Sequence, residues 1–559
     1  MCETLRMAHD ALPHPPVRFE THPDRYRHMT LTFPDTYAGE VACLALDIKE
    51  DGGLRPGYPL KLNSYDLGVD LELADAVNRV RFEHPEVKTL LVTSKKDRIF
   101  CSGANIYMLG SSTHAFKVNF CKYTNETRLG LEELSAEGGV PTIAALNGTA
   151  SGGGYELAIA CDEIVLVEDG SSAVSYPEAP LLAVLPGTGG LTRLTDKRKI
   201  RRDLADAFST VAEGVRGKRA VQWGLVDEAP PRAKFDETVV RRTKALVARS
   251  KRRTGAKMVL GPLSPKREES RVEYTYVTLE LDRPSRMATL TVRAPKGAEP
   301  ETPAALAEKG DAAWLVRMAR ELDDALLELR FNEPLIGVVA LRTEGSADAV
   351  LAAEKILFAH GSDGLVNEVR LLVKRVLKRL DMTAKSFFCL VSPGSCFAGT
   401  LLEILLAADR VFMKDVDDVF LRVSQAQSGI FPMGNGLSRL ESRFLGQPSQ
   451  VGKLLETTVP LGTQAALEAG LVTFAPDELD WDDEVRIAFE ERAAMSPDAM
   501  TGMEQNLRFG GPETMETKIF ARLSAWQNWI FQRPNAVGEK GALTLYGRPE
   551  RPEFDFHRT

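Results

Sequence analysis

An internal repeat divides this chain of 559 residues into two related halves. The segment LPGTGGLTRL has a counterpart in FPMGNGLSRL, so that Pro186 and Leu194 correspond to Pro432 and Leu440, each 246 positions later. Two further pairs follow in the same order, ELAIACD with EILLAAD at an offset of 247 and AVQWGLV with ALEAGLV at an offset of 246. Three matches in one order indicate a duplicated structural unit, and the sequence therefore predicts two domains of similar fold.

Both halves alternate strand-like and helix-like segments. In the first half, apolar runs at 39–48 and 88–94 flank a helical pattern at 70–85, where apolar residues recur three and four positions apart. In the second half, runs at 288–294 and 336–343 flank a helical pattern at 312–331. Such alternation is typical of parallel sheets covered by helices, and the predicted fold class is therefore α/β.

The boundary between the halves is predicted at residues 257–272. This segment, KMVLGPLSPKREESRV, combines a Gly, two Pro and a cluster of charges between two ordered-looking regions, which is typical of a linker. The predicted organisation is a first domain with an N-terminal extension over 1–256, the linker, and a second domain with a C-terminal helical extension over 273–559. A chain this long exceeds what one hydrophobic core normally organises.

Charge and cysteine usage oppose several functional classes. The net charge of −8 opposes general nucleic-acid binding, which depends on Lys and Arg neutralising phosphates. No stretch long enough to cross a bilayer lacks charges, and the N-terminus has no apolar run behind a basic start, so neither a membrane partner nor a secretory signal is expected. The seven cysteines are scattered and never spaced as CxxC, which predicts a reduced, cytoplasmic protein without a structural zinc site.

Two glycine-containing loops are placed to bind a ligand through the backbone. In RIFCSGANIYMLG, Gly103 and Ala104 occupy a tight strand-to-helix transition, where N–H groups are free to point at a ligand. In NGTASGGGYELAIACD, Gly153 is the middle of three glycines before a helix, and glycine lets a bound group approach the backbone itself. Each loop alone is typical of a simple turn, but two converging N–H donors would form an oxyanion hole for a thioester oxygen that gains negative charge.

Four motifs extend this pattern: FCSGANI at 100–106, GTASGGGYELAIACD at 148–162, YPEAPLLAVLPGTGGLTRL at 176–194 and AVQWGLVD at 220–227. In this order, over about half of the chain, they resemble the crotonase (enoyl-CoA hydratase/isomerase) superfamily. The resemblance implies tandem crotonase-like (ββα-spiral) domains, an acyl-CoA substrate and no metal or redox cofactor, since coenzyme A is part of the substrate. It also implies that Ala104 and Gly153 supply the two oxyanion-hole amides, and that Glu156 and Glu178 are the catalytic glutamates.

The two glutamates suit a division of labour. Two carboxyl groups beside one substrate can act as a neutral acid and as an ionised base toward water. The sequence does not decide which of Glu156 and Glu178 takes which part. An alternative interpretation of Glu156 is a carboxylate in the first helical turn that stabilises the helix N-terminus.

The loop at 102–106 is also expected to contact coenzyme A, through Ser102, Ala104 and Ile106. Asn105 stands where many members of the superfamily have Asp, which leaves the Ala104 backbone donor unchanged but argues against a simple hydratase. Cys121, in FKVNFCKYTNETR, is a secondary catalytic candidate if its segment folds over the acyl group. The alternative for Cys121 is a buried, inert thiol.

The second half keeps little of this constellation. No GANI-type segment follows its strand at 336–343, its glycine loop reads GSCFAGTLLE, and Ser424 stands 246 positions after Glu178. Glu403 is retained, and a carboxylate near a helix N-terminus has a sufficient structural explanation. The second domain is therefore predicted to be degenerate, without an active site of its own, and to serve packing or substrate enclosure.

The N-terminal extension, the GGGYELAIACD loop and the degenerate second half together resemble a lyase group of the superfamily that acts in aerobic benzoate degradation. Such enzymes open the epoxidised ring of a benzoyl thioester with two waters, cleave a C–C bond and release formate. The alternative is a hydratase or isomerase acting on another acyl-CoA. A fused dehydrogenase would need a GxGxxG turn, which the second half lacks. A non-catalytic RNA-binding protein is opposed by the glutamate pair and by the negative net charge. The sequence does not decide whether the protein forms a homo-oligomer.

Overall fold

The structure, a computed structural model, describes residues 15–559 and divides them into two compact units. The first is formed mainly by residues 18–260, and the second mainly by residues 261–362 and 366–559. The first unit contains two sheets and the second contains one, and each unit has its own buried cluster. The predicted α/β class is therefore confirmed.

The first unit is built on two sheets. The larger sheet has the order β1-β2-β3-β5-β7, with β1 antiparallel to β2 and the other neighbours parallel. A smaller parallel sheet has the order β4-β6-β8. The strands are β1 (Met29–Thr32), β2 (Val41–Leu46), β3 (Thr89–Ser94), β4 (Arg98–Cys101), β5 (Thr142–Leu146), β6 (Gly148–Ser151), β7 (Glu163–Leu166) and β8 (Val174–Ser175).

The α-helices that accompany these sheets are α1 (Leu67–Glu83), α2 (Ile106–Ser111), α3 (His114–Ala136), α4 (Gly153–Ala160), α5 (Gly190–Thr192), α6 (Arg202–Thr210), α7 (Gly217–Gln222) and α8 (Phe235–Arg249). Helix α8 buries Phe235, Val239 and Leu246 against Val41 and Leu91 of the larger sheet. Helices α2 and α4 begin just after the ends of β4 and β6, which are parallel neighbours. Because parallel strands end at the same edge of a sheet, this arrangement brings the two helix starts together.

The second unit contains a seven-stranded sheet. Its order is β15-β14-β13-β12-β11-β10-β9, with parallel pairing from β12 to β15 and antiparallel pairing from β9 to β12. The strands are β9 (Lys266–Arg267), β10 (Arg271–Glu273), β11 (Val277–Asp282), β12 (Met287–Arg293), β13 (Val338–Glu344), β14 (Ser386–Val391) and β15 (Arg410–Met413).

The helices of this half are α9 (Pro303–Lys309), α10 (Trp314–Phe331), α11 (Ala347–Ala359), α12 (Gly364–Met382), α13 (Gly399–Leu406), α14 (Arg439–Arg443), α15 (Pro448–Leu455), α16 (Thr463–Glu468), α17 (Trp481–Ala494), α18 (Pro497–Arg508), α19 (Met515–Thr517), α20 (Ser524–Ile530) and α21 (Pro534–Val537). Helix α17 packs Trp481 and Phe489 against Val338, Phe388 and Phe412 of the sheet. Helices α18 to α21 lie in the C-terminal part of this half.

The alternating elements predicted in both halves are confirmed, with ends shifted by a few residues. The runs at 39–48 and 88–94 contain β2 and β3, and the helical patterns at 70–85 and 312–331 fall in α1 and α10. The predicted linker 257–272 is not coil throughout. Its later part forms strands β9 and β10, because Val272 is buried and pairs with Leu279 of β11.

None of the helices within residues 15–559 combines the length and the apolar composition that crossing a bilayer requires.

Candidate active site

The two loops that the sequence singles out lie against each other in the first unit. Gly103 has φ +85°, and a Cβ placed on it would lie 2.7 Å from the backbone nitrogen of Gly153. A Cβ on Gly153 would in turn lie 3.3 Å from the backbone nitrogen of Ala104. Glycine is therefore required at Gly103 both for its backbone conformation and for the close approach. The result is that the amides of Ala104 and Gly153 are close neighbours.

Both of these amides are free to donate. The amide of Asn105 and the carbonyl of Gly103, on either side of Ala104, are taken up by hydrogen bonds of 2.9 Å with the backbone of Tyr65. Within residues 15–559, the N–H groups of Ala104 and Gly153 donate to no protein group. Gly153 is the first residue of α4. At this position, N–H groups have no intrahelical acceptor and lie at the positive end of the helix dipole. The pair can thus hold an oxygen that gains negative charge.

Glu156 lies one turn into α4 with its side chain buried. Its Oε1 accepts hydrogen bonds from the amides of Thr188 at 2.9 Å and Gly190 at 2.8 Å, and its Oε2 accepts one from the Thr188 hydroxyl. Burial raises the pKa of Glu156, while these hydrogen bonds and the charge of Arg128 oppose the rise. The loop 187–190 therefore fixes this carboxyl group in one orientation.

Glu178 opens a short π-helical turn, Glu178–Leu182, after Pro177. A Cβ on Gly152 would lie 2.5 Å from its Oε1, so the carboxyl group lies directly against the backbone that precedes Gly153. Its Oε2 is buried and has no hydrogen-bond partner among the described residues. Burial raises the pKa of Glu178 to about 7; its own backbone amide opposes the rise, and the charge of Glu156 adds to it. A carboxyl group in this state can take up or release a proton near neutral pH.

Cys121 lies on α3 and is half-buried. The pKa of its thiol is raised to about 11, mainly by burial, with smaller contributions from the charges of Glu156 and Asp70. The thiol is therefore protonated at neutral pH and is a poor nucleophile in that form.

The residues assigned to coenzyme A differ in exposure. Ile106, at the start of α2, is 55% exposed, whereas Ser102 and Ala104 are partly buried. Asn105 has a structural role, because its side chain caps α2 by accepting from the amide of Met108 at 2.9 Å. The CoA contacts of Ser102, Ala104 and Ile106 stay predictions.

The sequence did not reveal a buried polar network behind the loops that carry Ala104 and Gly153. Arg128 of α3 donates to Asp70 of α1 at 2.5 Å and to the hydroxyl of Tyr65 at 2.7 Å, and Thr124 also donates to Asp70. Burial would lower the pKa of Arg128, but Asp70 and Tyr65 raise it. One feature of the sequence could have indicated this network, because Asp70 interrupts the apolar spacing of Leu67, Leu71 and Leu73 in α1.

The corresponding positions of the second unit are occupied differently. Gly399 and Thr400, 247 positions after Gly152 and Gly153, begin α13. The Thr400 amide and hydroxyl donate to Glu354 at 2.6 and 2.7 Å, and the hydroxyl of Ser424 donates to it at 2.5 Å.

Glu403 in turn is buried in an ion pair. It accepts from Arg439 at 2.9 Å and from Gln427 at 3.0 Å, and Asp381 also binds Arg439, at 2.6 Å. Two structural roles therefore account for Glu403: the salt bridge to Arg439 and its place near the start of α13.

Comparisons with known proteins connect this geometry to a family. A sequence model of the family described as Enoyl-CoA hydratase/isomerase matches residues 57–317. The chain is 55% identical to the benzoyl-CoA-dihydrodiol lyase of Aromatoleum evansii over 546 residues, which cover 97% of this chain and 98% of that protein. It is 30% identical to the fatty acid oxidation complex subunit alpha of Shewanella loihica over 201 residues, 36% of this chain and 26% of that one.

Among solved structures, an enoyl-CoA hydratase from Geobacillus kaustophilus aligns with 40% of this chain and 75% of its own, at 30% identity and a TM-score of 0.34. The decisive similarity is the one to the Aromatoleum evansii protein, since it extends along nearly the whole of both chains. The chain therefore belongs to the enoyl-CoA hydratase/isomerase (crotonase) family, in the group that includes benzoyl-CoA-dihydrodiol lyase.

Proposed function

We propose that the protein is a lyase that opens the oxidised ring of benzoyl-CoA in aerobic benzoate degradation. The substrate is 2,3-epoxy-2,3-dihydrobenzoyl-CoA. Two waters add to it, a C–C bond of the ring breaks, and the products are 3,4-dehydroadipyl-CoA semialdehyde and formate. The observation that carries the proposal is the 55% identity to a benzoyl-CoA-dihydrodiol lyase along nearly the whole chain, a span that includes both oxyanion loops and both glutamates.

The first step of the proposed mechanism uses the thioester as an electron acceptor. The carbonyl oxygen binds between the N–H groups of Ala104 and Gly153. Neither N–H group donates to a protein group within residues 15–559. As water attacks the ring, electron density moves toward this oxygen, and two fixed donors stabilise it more strongly than water does because they need no reorganisation. Losing one donor of this kind typically costs about 3 kcal/mol of transition-state stabilisation.

The glutamates then divide the proton transfers. Glu156 accepts three hydrogen bonds and is held in one orientation, which suits a carboxylate that orients an attacking water. Glu178 has an oxygen without a partner among the described residues and a pKa of about 7, raised by burial. It is therefore the group we assign to take a proton from water and return it to the leaving carbon or oxygen.

We further propose that no metal or redox cofactor takes part. The reaction as written adds two waters and releases formate and an aldehyde from an already oxidised ring, so its atoms and electrons balance without an external oxidant or reductant. Cys121 is at most a secondary contributor, since its thiol is protonated at neutral pH.

The second unit is proposed to be a degenerate crotonase-like copy without an active site. In the first unit, the Gly153 amide at the N-terminus of α4 donates to no group within residues 15–559, and Glu178 lies against the preceding Gly152. In the second, the N-terminus of α13 already binds the carboxylate of Glu354, and Ser424 replaces the second glutamate as a donor to it. A carboxyl group of the protein itself thus accepts the hydrogen bond that the Thr400 amide would otherwise offer to a thioester oxygen.

The proposed reaction is tested by supplying 2,3-epoxybenzoyl-CoA to the purified full-length protein and analysing the products by mass spectrometry. The expected products are formate and a semialdehyde thioester, and reaction in H₂¹⁸O should place ¹⁸O in the formate. A parallel assay with crotonyl-CoA measures the alternative. Rapid hydration of crotonyl-CoA without ring opening of the epoxide would replace the proposed lyase with a hydratase.

A further inference from the structure

Tyr65 contacts both of the loops that carry the free amides. Its backbone N–H donates to the Gly103 carbonyl at 2.9 Å, and its carbonyl accepts from the Asn105 amide at 2.9 Å. Tyr65 therefore holds the backbone on both sides of Ala104. Its side-chain hydroxyl is 3.3 Å from the carbonyl oxygen of Gly153, to which it donates. Tyr65 thus joins the segment around Ala104 to the first residue of α4.

The phenol of Tyr65 is oriented by a charged pair behind it. Arg128 donates to the Tyr65 oxygen at 2.7 Å, and Asp70 holds Arg128 at 2.5 Å. The side chains of Arg128 and Asp70 are only 1% and 2% exposed, so water does not compete for these hydrogen bonds. Because a guanidinium group can only donate, the Tyr65 hydroxyl must direct its own proton elsewhere, toward Gly153.

We propose that Tyr65 is a positioning residue, which fixes the spacing of the Ala104 and Gly153 amides and is itself held by Arg128 and Asp70. The proposal rests on the proposed function in one respect, the use of these two amides to bind the thioester oxygen. Tyr65 does not touch the reacting atoms. It acts through the backbone of the two loops, where a small displacement of a donor is enough to weaken an oxyanion hole.

A role in packing alone leads to a different expectation. The ring of Tyr65 lies 6.3 Å from the ring of Phe120, and the guanidinium of Arg128 lies 5.2 Å above its centroid. The substitution Tyr65→Phe keeps the ring and both of these contacts, and it removes the hydroxyl that links Arg128 to Gly153. If packing were the whole role, Tyr65→Phe would leave the oxyanion hole unchanged.

The test measures the polarisation of a bound thioester directly. Benzoyl-CoA labelled with ¹³C at the thioester carbonyl lacks the epoxide and serves as an unreactive probe, read by NMR or by its carbonyl stretching band. In the wild-type protein we expect a clear shift of the carbonyl signal on binding. In Tyr65→Phe we expect this shift to fall by about half, with kcat about tenfold lower and KM within about twofold.

Two further variants make the result interpretable. Tyr274→Phe is the matched control in the second unit, since it also removes a buried phenol hydroxyl, one that donates to Asp324 at 2.6 Å; it should leave the carbonyl shift unchanged. Thr124→Val removes a donor to Asp70 and should reduce the shift in the same direction as Tyr65→Phe, by a smaller amount. It also provides the decisive measurement if Tyr65→Phe does not fold.

The outcomes separate the two proposals. If the wild-type protein binds the probe without any carbonyl shift, the oxyanion hole itself is wrong, and the proposed function fails at that step. If the wild-type shift is present and folded Tyr65→Phe shows the same shift, only the positioning role of Tyr65 is overturned. An unchanged shift in Thr124→Val overturns it equally where Tyr65→Phe cannot be purified in folded form.

Discussion

The carboxyl group of Glu178 lies against the α-carbon of Gly152, so closely that a Cβ there would be 2.5 Å from Oε1. Gly152 also has φ +52° and immediately precedes the Gly153 amide. One glycine therefore sets the distance between the Glu178 carboxyl group and the Gly153 amide, the two groups to which we assign proton transfer and binding of the thioester oxygen.

We expect Gly152→Ala to abolish most of the activity by displacing Glu178. The new methyl group and the carboxyl oxygen cannot both keep their places, and a displacement of about 1 Å in a catalytic group is enough to lower kcat about 10²-fold. The measurement is steady-state kinetics with the epoxide substrate. Gly170→Ala is the control, because Gly170 also has a positive φ, of +79°, but nothing lies within 4 Å of its Cβ position. Equal losses in both variants would trace the effect to backbone strain instead.

Neutralising either glutamate should affect turnover far more than binding. We expect Glu156→Gln and Glu178→Gln each to lower kcat by at least about 10²-fold with KM changed only slightly, since proton transfer contributes about that much. Steady-state kinetics on each folded variant provides the measurement. Full activity in either variant removes that carboxyl group from the mechanism.

The control for these variants is Glu72→Gln. Like Glu156, Glu72 is buried and accepts three hydrogen bonds, in its case from the backbone amides of Arg27, His28 and Met29. It lies outside the site, so Glu72→Gln should lower stability and leave kcat unchanged. A comparable loss of kcat in Glu72→Gln would show that the losses at Glu156 and Glu178 come from destabilisation rather than chemistry.

What the sequence predicts well and what it misses have a common physical reason. Gly103 and Gly153 could be placed because a glycine before a helix start is a local signal, and the strands and helices because their periodicity is local. The hydrogen bonds that join Asp70, Arg128 and Tyr65 form only because α1 packs against α3. That packing cannot be read from either segment alone. The predicted linker 257–272 shows the same limit: Pro and charge dominate its composition, but Val272 pairs in a strand with Leu279, which lies outside the segment.

Stability should depend on pH through Glu178. Burial raises its pKa from 4.5 to about 7, so the folded protein binds this proton more tightly than the unfolded chain. The contribution of Glu178 to stability is therefore full below pH about 4.5 and is lost as the pH rises through about 7. We expect the urea midpoint of the wild-type protein to fall between about pH 5 and about pH 8 by more than that of Glu178→Gln. Parallel curves for the two proteins would contradict the raised pKa.

Glu403 tests the proposed loss of function in the second unit, because it corresponds to Glu156 in the repeat. We expect Glu403→Gln to retain kcat within about twofold and to lose about 1–3 kcal/mol of stability, since Arg439 keeps Asp381 but loses one of its two carboxylates. Thermal unfolding and steady-state kinetics on the same preparation check both parts. Glu156→Gln, at the equivalent position of the first unit, should instead lower kcat by at least about 10²-fold. A folded Glu403→Gln protein without turnover would mean that the second unit takes part in the chemistry. The proposal that this unit has no active site would then be wrong.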